Sequence, residues 1–344
     1  MAGWSGTAVG NVPRISGELG AADRWGSLKV RWGIRRMDYS VLPGLHALGS
    51  PDPTSPVLVT SNYKLTFDHL RSTVASLDAW ILVLDTDGVN VWCAAGKGTF
   101  GTDELIRQIQ AAELGRVVVH RRLIVPQLGA PGIAGHEVAR RSDFEVVWGP
   151  VRAEDILGFL AAGAEATPEM RRSRFPVRDR MTVIPIELVA ALKFALPMMA
   201  ALLVLGGLTT RNGFLAGSLD LGLTGVLVLL VAILAGAVVT PILLPWIPGR
   251  AFAVKGAVAG LPLVAITVWL RRPPVVTGSW PLEAGGWLLV GVAAAAFLAM
   301  NFTGASTFTS LSGVKKEMRV AVPSQLVAVT IGIGLLITSK WLVP

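Results

Sequence analysis

Five long uncharged apolar stretches fill the second half of this 344-residue chain and leave it few ways to fold. A membrane-spanning helix needs about 20 mostly apolar residues, because its backbone groups must bond to one another where water is absent. We therefore predict an α-helical transmembrane domain of five spans over residues 184–344. The spans lie near Ile184–Leu208, Leu219–Leu244, Ala251–Leu270, Leu282–Phe302 and Val320–Thr338.

Basic residues beside the spans predict the orientation in the membrane. One arginine-rich cluster, Arg171–Arg180, precedes the first span, and a second cluster, KKEMR at 315–319, precedes the last. Loops rich in Lys and Arg stay on the cytoplasmic side, so both clusters place the amino-terminal half inside. Arg271 and Arg272 then lie outside, against this tendency. We expect a multi-pass protein of the inner (cytoplasmic) membrane with its carboxyl terminus outside.

Composition excludes several classes of function. The net charge of +8 comes largely from the first basic cluster, and no basic stripe with interleaved aromatics is present, so we expect no nucleic-acid partner. The chain has one cysteine, Cys93, which excludes an internal disulfide, dithiol redox chemistry and an iron–sulfur cluster in this chain. A lone thiol and a polar, Gly-rich amino terminus predict a cytoplasmic soluble half without a secretory signal.

The first half alternates short β-branched runs with helical segments. The strands are predicted at PVLVT (56–60), WILVLD (80–85), RVVVH (116–120) and FEVVW (144–148), and the helices at Leu65–Ala75, Thr102–Ala112 and Ala153–Ala162. This alternation predicts a Rossmann-like α/β domain, a parallel sheet with flanking helices. We divide the chain into an amino-terminal extension packing on the soluble domain (1–50), the soluble domain (51–166), a basic linker (167–183) and the transmembrane domain (184–344).

Residues that follow the predicted strands are the candidate ligand contacts, because ligands of parallel sheets bind at the carboxyl ends of the strands. Gly and Ala are frequent there and let a large flat ligand approach the backbone. No GxGxxG follows the first strand and no GxxxxGK(S/T) occurs. Arg152 either meets an anionic group of the ligand or pairs with Asp155. The candidates after the strands are Thr60, Asn62, Gln127, Gly129, Gly132, Gly149, Pro150, Val151 and Arg152.

Cys93 lies in the segment NVWCAAGKG, Asn90–Gly98, where Val91–Lys97 is predicted to form about two helical turns. Cys93 and Lys97 then share one face, and the helix dipole favours a thiolate near the helix start. A lone cysteine is also common as a small buried hydrophobe. One thiolate suffices only for a metal that something else already holds, such as a macrocycle.

The same segment carries a family resemblance. NVWCAAGKG matches the motif Asn-(Val/Ile)-Trp-Cys-Ala-(Ala/Gly)-Gly-Lys of the mercury-methylating corrinoid membrane protein family, HgcA, at every position. VLVTSNYKLTFDHLR, GKGTFGTDEL, HRRLIVPQLGAPG and WGPVRAEDI also resemble this family, as does a soluble domain followed by five spans. The soluble domain is similar to the corrinoid-binding domain of the corrinoid iron–sulfur protein large subunit.

This resemblance implies a cofactor and a reaction. The cofactor is a base-off cobalamin, with Cys93 as lower axial ligand of cobalt, both catalytic and metal-binding. The motif residues expected around the cofactor are Asn90, Val91, Trp92, Cys93, Ala94, Gly96 and Lys97. The reaction is a corrinoid-dependent methyl transfer from a methyltetrahydrofolate-linked donor to Hg(II), which gives methylmercury.

The resemblance also implies partners, and two other functions stay open. The partner is a ferredoxin-like protein with two 4Fe–4S clusters, HgcB, as reductant and as a candidate donor of Hg(II). Its docking surfaces are expected near Thr303–Ser312 and around Cys93, although the hydroxyls of Thr303–Ser312 also suit a polar turn between two helices. The alternatives are a corrinoid methyl carrier of one-carbon metabolism with a non-mercury acceptor, and a membrane protein that binds cobalamin.

Overall fold

The computed structural model describes residues 2–209, 213–273, 278–302 and 311–341. The chain divides into two compact units, Met1–Ser173 and Arg174–Pro344. The predicted docking segment Thr303–Ser312 lies outside the described residues, except for the helical backbone of its last two. Each unit is described by itself below.

The first unit is built on a seven-stranded sheet in the order β1-β2-β3-β5-β4-β6-β7. The four strands β5, β4, β6 and β7 are parallel, which confirms the Rossmann-like α/β prediction. β1 pairs antiparallel with β2, and β3 antiparallel with β5, so the complete sheet is mixed. The strands are β1 Gly3–Thr7, β2 Gly10–Ile15, β3 Gly44–Leu48, β4 Val57–Ser61, β5 Ala79–Leu84, β6 Arg122–Val125 and β7 Glu145–Trp148.

Helices cover both faces of this sheet. Val57 and Val59 of β4 pack in one core with residues of α3, α4 and α6, and Leu58 packs in a second core with residues of α2 and α7. Alternate residues of a strand point to opposite faces, so a strand buried on both sides is apolar throughout. The helices are α1 Ala21–Arg31, α2 Lys64–Thr73, α3 Val91–Lys97, α4 Thr102–Ala111, α5 Leu114–Val117, α6 Gly135–Ser142 and α7 Ile156–Ala161.

Two features of this unit differ from the predictions. RVVVH (116–120) is not a strand: the strand that pairs with β4 is Arg122–Val125, and α5 ends at Val117. Val117 and Val118 are buried one after the other, and so short a β-branched run does not reveal its conformation by periodicity. The three strands before residue 50 were not predicted either. They are Gly-rich or short, and β1 and β2 bury one residue each, so they lack a clear alternating pattern.

In the described part of the second unit, five helices are long and apolar enough to cross a membrane, which confirms the predicted number of spans. This makes the chain a multi-pass membrane protein. Gly256 and Gly260 of the third helix pack on Ala295 and Ala299 of the fourth, because small residues let membrane helices approach closely. The helices are Val177–Thr209, Phe214–Leu243, Phe252–Leu270, Trp280–Asn301 and Leu311–Trp341.

Arg271, which opposes the charge rule, has a local partner set in this unit. Its guanidinium donates to the carbonyl of Leu219 (2.7 Å), the carbonyl of Asp220 (3.2 Å) and the Thr224 hydroxyl (3.1 Å). These acceptors lie in or just after a π-helical turn, Ser218–Gly222, of the second membrane helix. A π turn disturbs the regular carbonyl ladder, so a cation that bonds its carbonyls stabilises it.

Candidate functional site

Helix α3 presents the single thiol, and its ends are defined by the residues on either side. The Asn90 side chain accepts a hydrogen bond from the backbone N–H of Cys93 at 3.0 Å, which caps the helix start. Gly98 adopts a left-handed conformation with φ 87° and ends the helix. The helix spans Val91–Lys97, the range predicted from the sequence.

The two faces of α3 have different surroundings. Val91, Ala94 and Ala95 are buried in the core below, whereas Trp92, Cys93, Gly96 and Lys97 are exposed. The thiol is therefore not a buried hydrophobe. A Cβ added at Gly96 would meet nothing within 4 Å. Beside the thiol, this exposed face therefore has open space into which a flat group can fit.

Asn62 supports the loop between β5 and α3. Its Oδ1 accepts from the Thr86 N–H (3.1 Å), the Thr86 hydroxyl (2.8 Å) and the Gly88 N–H (3.0 Å), and its amide group donates to Asp85 (2.9 Å). Asn62 is buried, so these bonds fix the loop that leads to Asn90. The structure thus places Asn62 beneath the site, and its contact with a cofactor stays a prediction.

Gly129 and Gly132 pack closely against α3 and the residues that follow it. A Cβ at Gly132 would lie 2.1 Å from the carbonyl oxygen of Phe100 and 3.1 Å from Cα of Ala95, and a Cβ at Gly129 would lie 2.5 Å from the Phe100 ring. Both glycines allow close backbone packing in the part of the fold that carries Cys93. Gln127 lies nearby, and its side-chain oxygen accepts from Arg171 at 2.8 Å.

A cavity of about 260 Å³ lies at the carboxyl edge of β4 and β6. Six of the predicted contacts line it. The others do not: Asn62, Asn90, Ala94, Gln127, Gly129, Gly132 and the exposed residues of α3. Val91 lines the cavity from the start of α3, so the cavity and the thiol-bearing helix adjoin. The six are Thr60, Val91, Gly149, Pro150, Val151 and Arg152.

Three polar residues of this cavity form a chain of contacts that the sequence did not predict. Arg152 pairs with Glu154 at 3.4 Å, not with Asp155, and His69 Nε2 lies 3.5 Å from the same carboxylate. Burial alone would raise the pKa of Glu154, but its own backbone N–H and the charges of His69 and Arg152 hold that pKa below its usual value. Only their positions in the sequence could have indicated these residues. Glu154 follows the fourth predicted strand, and His69 lies in the second turn of α2.

The matching family was found for the part of the chain that contains this site. The family described as CdhD, CO dehydrogenase/acetyl-CoA synthase delta subunit, matches residues 35–157. Residues 35–157 are a CdhD family domain. The CdhD family domain contains α3, Cys93 and every residue that lines the cavity.

Curated proteins match the same region. The acetyl-CoA decarbonylase/synthase complex subunit gamma of Methanopyrus kandleri is 32% identical over 127 residues, which cover 36% of this chain and 27% of that protein. The subunit of the same name from Archaeoglobus fulgidus gives the same identity and coverage. The corrinoid/iron-sulfur protein large subunit of Moorella thermoacetica is 29% identical over 120 residues, covering 34% of this chain and 26% of that protein. The chain spans about a quarter of the length of these relatives.

Proposed function

We propose that the CdhD family domain binds a base-off cobalamin over α3 and that the protein is a corrinoid-dependent methyltransferase that forms methylmercury from Hg(II). The observation that carries this proposal is the single thiol, Cys93, exposed on a short, firmly held helix beside a cavity at the sheet edge. The name of the Moorella relative, a corrinoid/iron-sulfur protein, supports the cofactor class. The match of NVWCAAGKG to the mercury-methylating family supports the acceptor.

The residues present fit a corrinoid at this place. A planar macrocycle needs an open face, and the exposed side of α3 offers one around Cys93 and Gly96. A displaced nucleotide needs a mostly apolar cleft with a few polar groups, and the adjoining cavity combines Leu58, Ile124 and Pro126 with Arg152 at its polar side. Arg152 is the proposed contact for the anionic part of that nucleotide.

The protein's part in the chemistry begins with the sulfur atom. A bound corrinoid supplies the cobalt that carries the methyl group from donor to acceptor. Cys93 would hold the cobalt through its sulfur, and electron donation from a thiolate would favour release of a methyl group with its bonding electron pair. Hg(II) is an electrophile and needs a methyl group of that polarity. The Asn90 cap and the bonds of Asn62 keep the sulfur in one position for this role.

The partners in this proposal follow from what the chain lacks. Release of a methyl group with its electron pair would require two electrons to be returned in each cycle, and the single cysteine of the chain cannot build a redox cluster to supply them. A ferredoxin-like protein with two 4Fe–4S clusters is the proposed reductant and Hg(II) donor, and a methyltetrahydrofolate-linked protein is the proposed methyl donor. We place the domain on the cytoplasmic side of the inner membrane and the carboxyl terminus outside.

The names of the relatives favour a second function. The gamma subunits belong to an acetyl-CoA decarbonylase/synthase complex, so a corrinoid methyl carrier of one-carbon metabolism with a non-mercury acceptor is the alternative. A membrane protein that only binds cobalamin is the third. Neither of the two names that these relatives carry mentions mercury, whereas the cysteine motif resembles the mercury-methylating family at every position.

Methylmercury formation from isotopically labelled Hg(II) tests the proposal. In cells whose mercury methylation depends on this chain, Cys93→Ala should abolish the formation of labelled methylmercury. Val119→Ala, at an exposed position of the same unit, should not. Equal methylation by the Cys93→Ala and native chains would overturn the ligand role. Cobalamin binding by the native chain without any methylmercury would favour the carrier or the binding protein.

A further inference from the structure

Helix α1 exposes an apolar face on the surface of the first unit. Trp25 and Leu28 of α1, and Trp32 directly after its last residue, have the i, i+3, i+7 spacing of one helical stripe. All three are exposed, Trp25 by 58% and Trp32 by 44%. Val30, on the opposite side, is buried. An amphipathic helix normally buries its apolar stripe, so the outward stripe of α1 requires a partner outside this domain.

The inward face of α1 is fixed by charge pairs and close packing. Asp23 bonds Lys64 at 2.6 Å and Arg71 at 2.8 Å, both on α2. A Cβ at Gly26 would lie 2.5 Å from the Tyr39 hydroxyl, so α1 also packs closely there. These contacts prevent α1 from rotating its tryptophans into the domain core.

The residues around the stripe identify its partner. Arg24 and Lys29 flank it on α1, Arg35 follows it, and all three are exposed. The Lys29 ammonium lies 5.6 Å from the centroid of the Trp25 ring, with its charge beside the aromatic face. The one acidic residue of α1, Asp23, is occupied by its two partners on α2. Tryptophan with flanking basic side chains suits the headgroup layer of an anionic membrane.

We propose that the α1 face, Trp25, Leu28 and Trp32 with Arg24, Lys29 and Arg35, docks on the anionic phospholipid surface of the bilayer that the chain spans. The domain is covalently joined to helices that can span a membrane, so a weak interfacial contact suffices. Docking of this kind limits the orientations in which Cys93 meets other proteins. This proposal is independent of the corrinoid function.

A fluorescent probe on the full chain tests the docking. Ala21, at the exposed start of α1, is changed to Cys in a Cys93→Ser background, labelled with an environment-sensitive probe, and placed in nanodiscs of phosphatidylcholine with phosphatidylglycerol. Bromine-labelled lipids should quench this probe. The same probe at Val119→Cys, which is also exposed in the same unit, is the control and should not be quenched.

Variants of the α1 face separate the possible results. Trp25→Ser with Trp32→Ser should abolish quenching, and Lys29→Gln should lower the ratio of docked to free domain about fivefold, the factor for roughly 1 kcal/mol per basic residue near an anionic surface. A probe that iodide quenches and bromolipid does not would show a free face and overturn the proposal. Shielding from both quenchers would show a protein partner and overturn it too. Equal quenching in pure phosphatidylcholine would contradict the anionic recognition.

Discussion

Replacement of Gly132 by alanine tests whether the close packing under α3 positions the thiol. The added Cβ would lie 2.1 Å from the Phe100 carbonyl oxygen and 3.1 Å from Cα of Ala95. Both contacts are to backbone, which cannot rotate away as a side chain can. Overpacking costs about 1–3 kcal/mol, and contact with backbone places this substitution near about 3 kcal/mol.

Gly96→Ala on the same helix is the matched control. Its Cβ enters open space, so the exchange should stabilise α3 by up to about 1 kcal/mol through helix propensity. It nevertheless raises the surface beside Cys93. Gly96→Ala should therefore keep the fold and weaken cobalamin binding, whereas Gly132→Ala should weaken both.

Hydrogen exchange of the full chain in nanodiscs measures the difference. A loss of about 3 kcal/mol lowers the protection of the α3 amides by roughly a hundredfold where α3 opens locally. Cobalamin titration of the same samples gives the affinities. Unchanged α3 protection in Gly132→Ala, or lowered protection in Gly96→Ala, would refute the reasoning from packing.

Three further predictions concern residues that support the site and the fold. Asn90→Ala should lower the protection of α3 by about 1 kcal/mol through loss of its cap, with Asn90→Asp close to the native value in the same exchange experiment. Asn62→Leu leaves two buried donors, the N–H groups of Thr86 and Gly88, without their acceptor, whereas the Thr86 hydroxyl keeps the Val89 carbonyl at 2.7 Å. This variant should cost about 2–4 kcal/mol in the unfolding of the first unit by urea. Burial raises the pKa of Asp23, but the bonds to Lys64 and Arg71 outweigh burial and bring that pKa to about 2. The stability that this carboxylate contributes is therefore fully present above its unfolded pKa of 3.8 and is lost as the pH falls through about 2. Asp23→Asn should accordingly lower the free energy of unfolding by about 2 kcal/mol at neutral pH. Urea unfolding at decreasing pH should show this difference from the native chain shrink between about pH 4 and pH 2. A difference that stays constant would contradict the pairing.

The parts of the fold with strong local signals were predictable. The five spans follow from length and hydropathy, and the bounds of α3 follow from the Asn90 cap and the Gly98 break, because local chemistry fixes both ends. The strand at RVVVH was misplaced, since two β-branched apolar runs lie a few residues apart and only the pairing with β4 distinguishes them.

The supporting residues of the site depend on tertiary contacts that a single sequence does not reveal. Asn62 was predicted as a ligand contact because it follows a strand, but its bonds to the loop before α3 appear only in the folded chain. The same holds for Gly132, whose fit depends on Phe100 and Ala95, and for the pairing of Arg152 with Glu154 in place of Asp155. These roles could not be assigned from the sequence, because each depends on contacts that form only in the folded chain.

The central claim is that Cys93 sulfur binds cobalt, and X-ray absorption at the cobalt edge measures that bond directly. The full chain in nanodiscs is loaded with cobalamin, with Cys93 intact and with Cys93→Ala, and the two spectra are compared. We expect a cobalt–sulfur scattering path in the native protein and its loss in the variant. Identical spectra from two samples that both hold cobalamin would contradict the account.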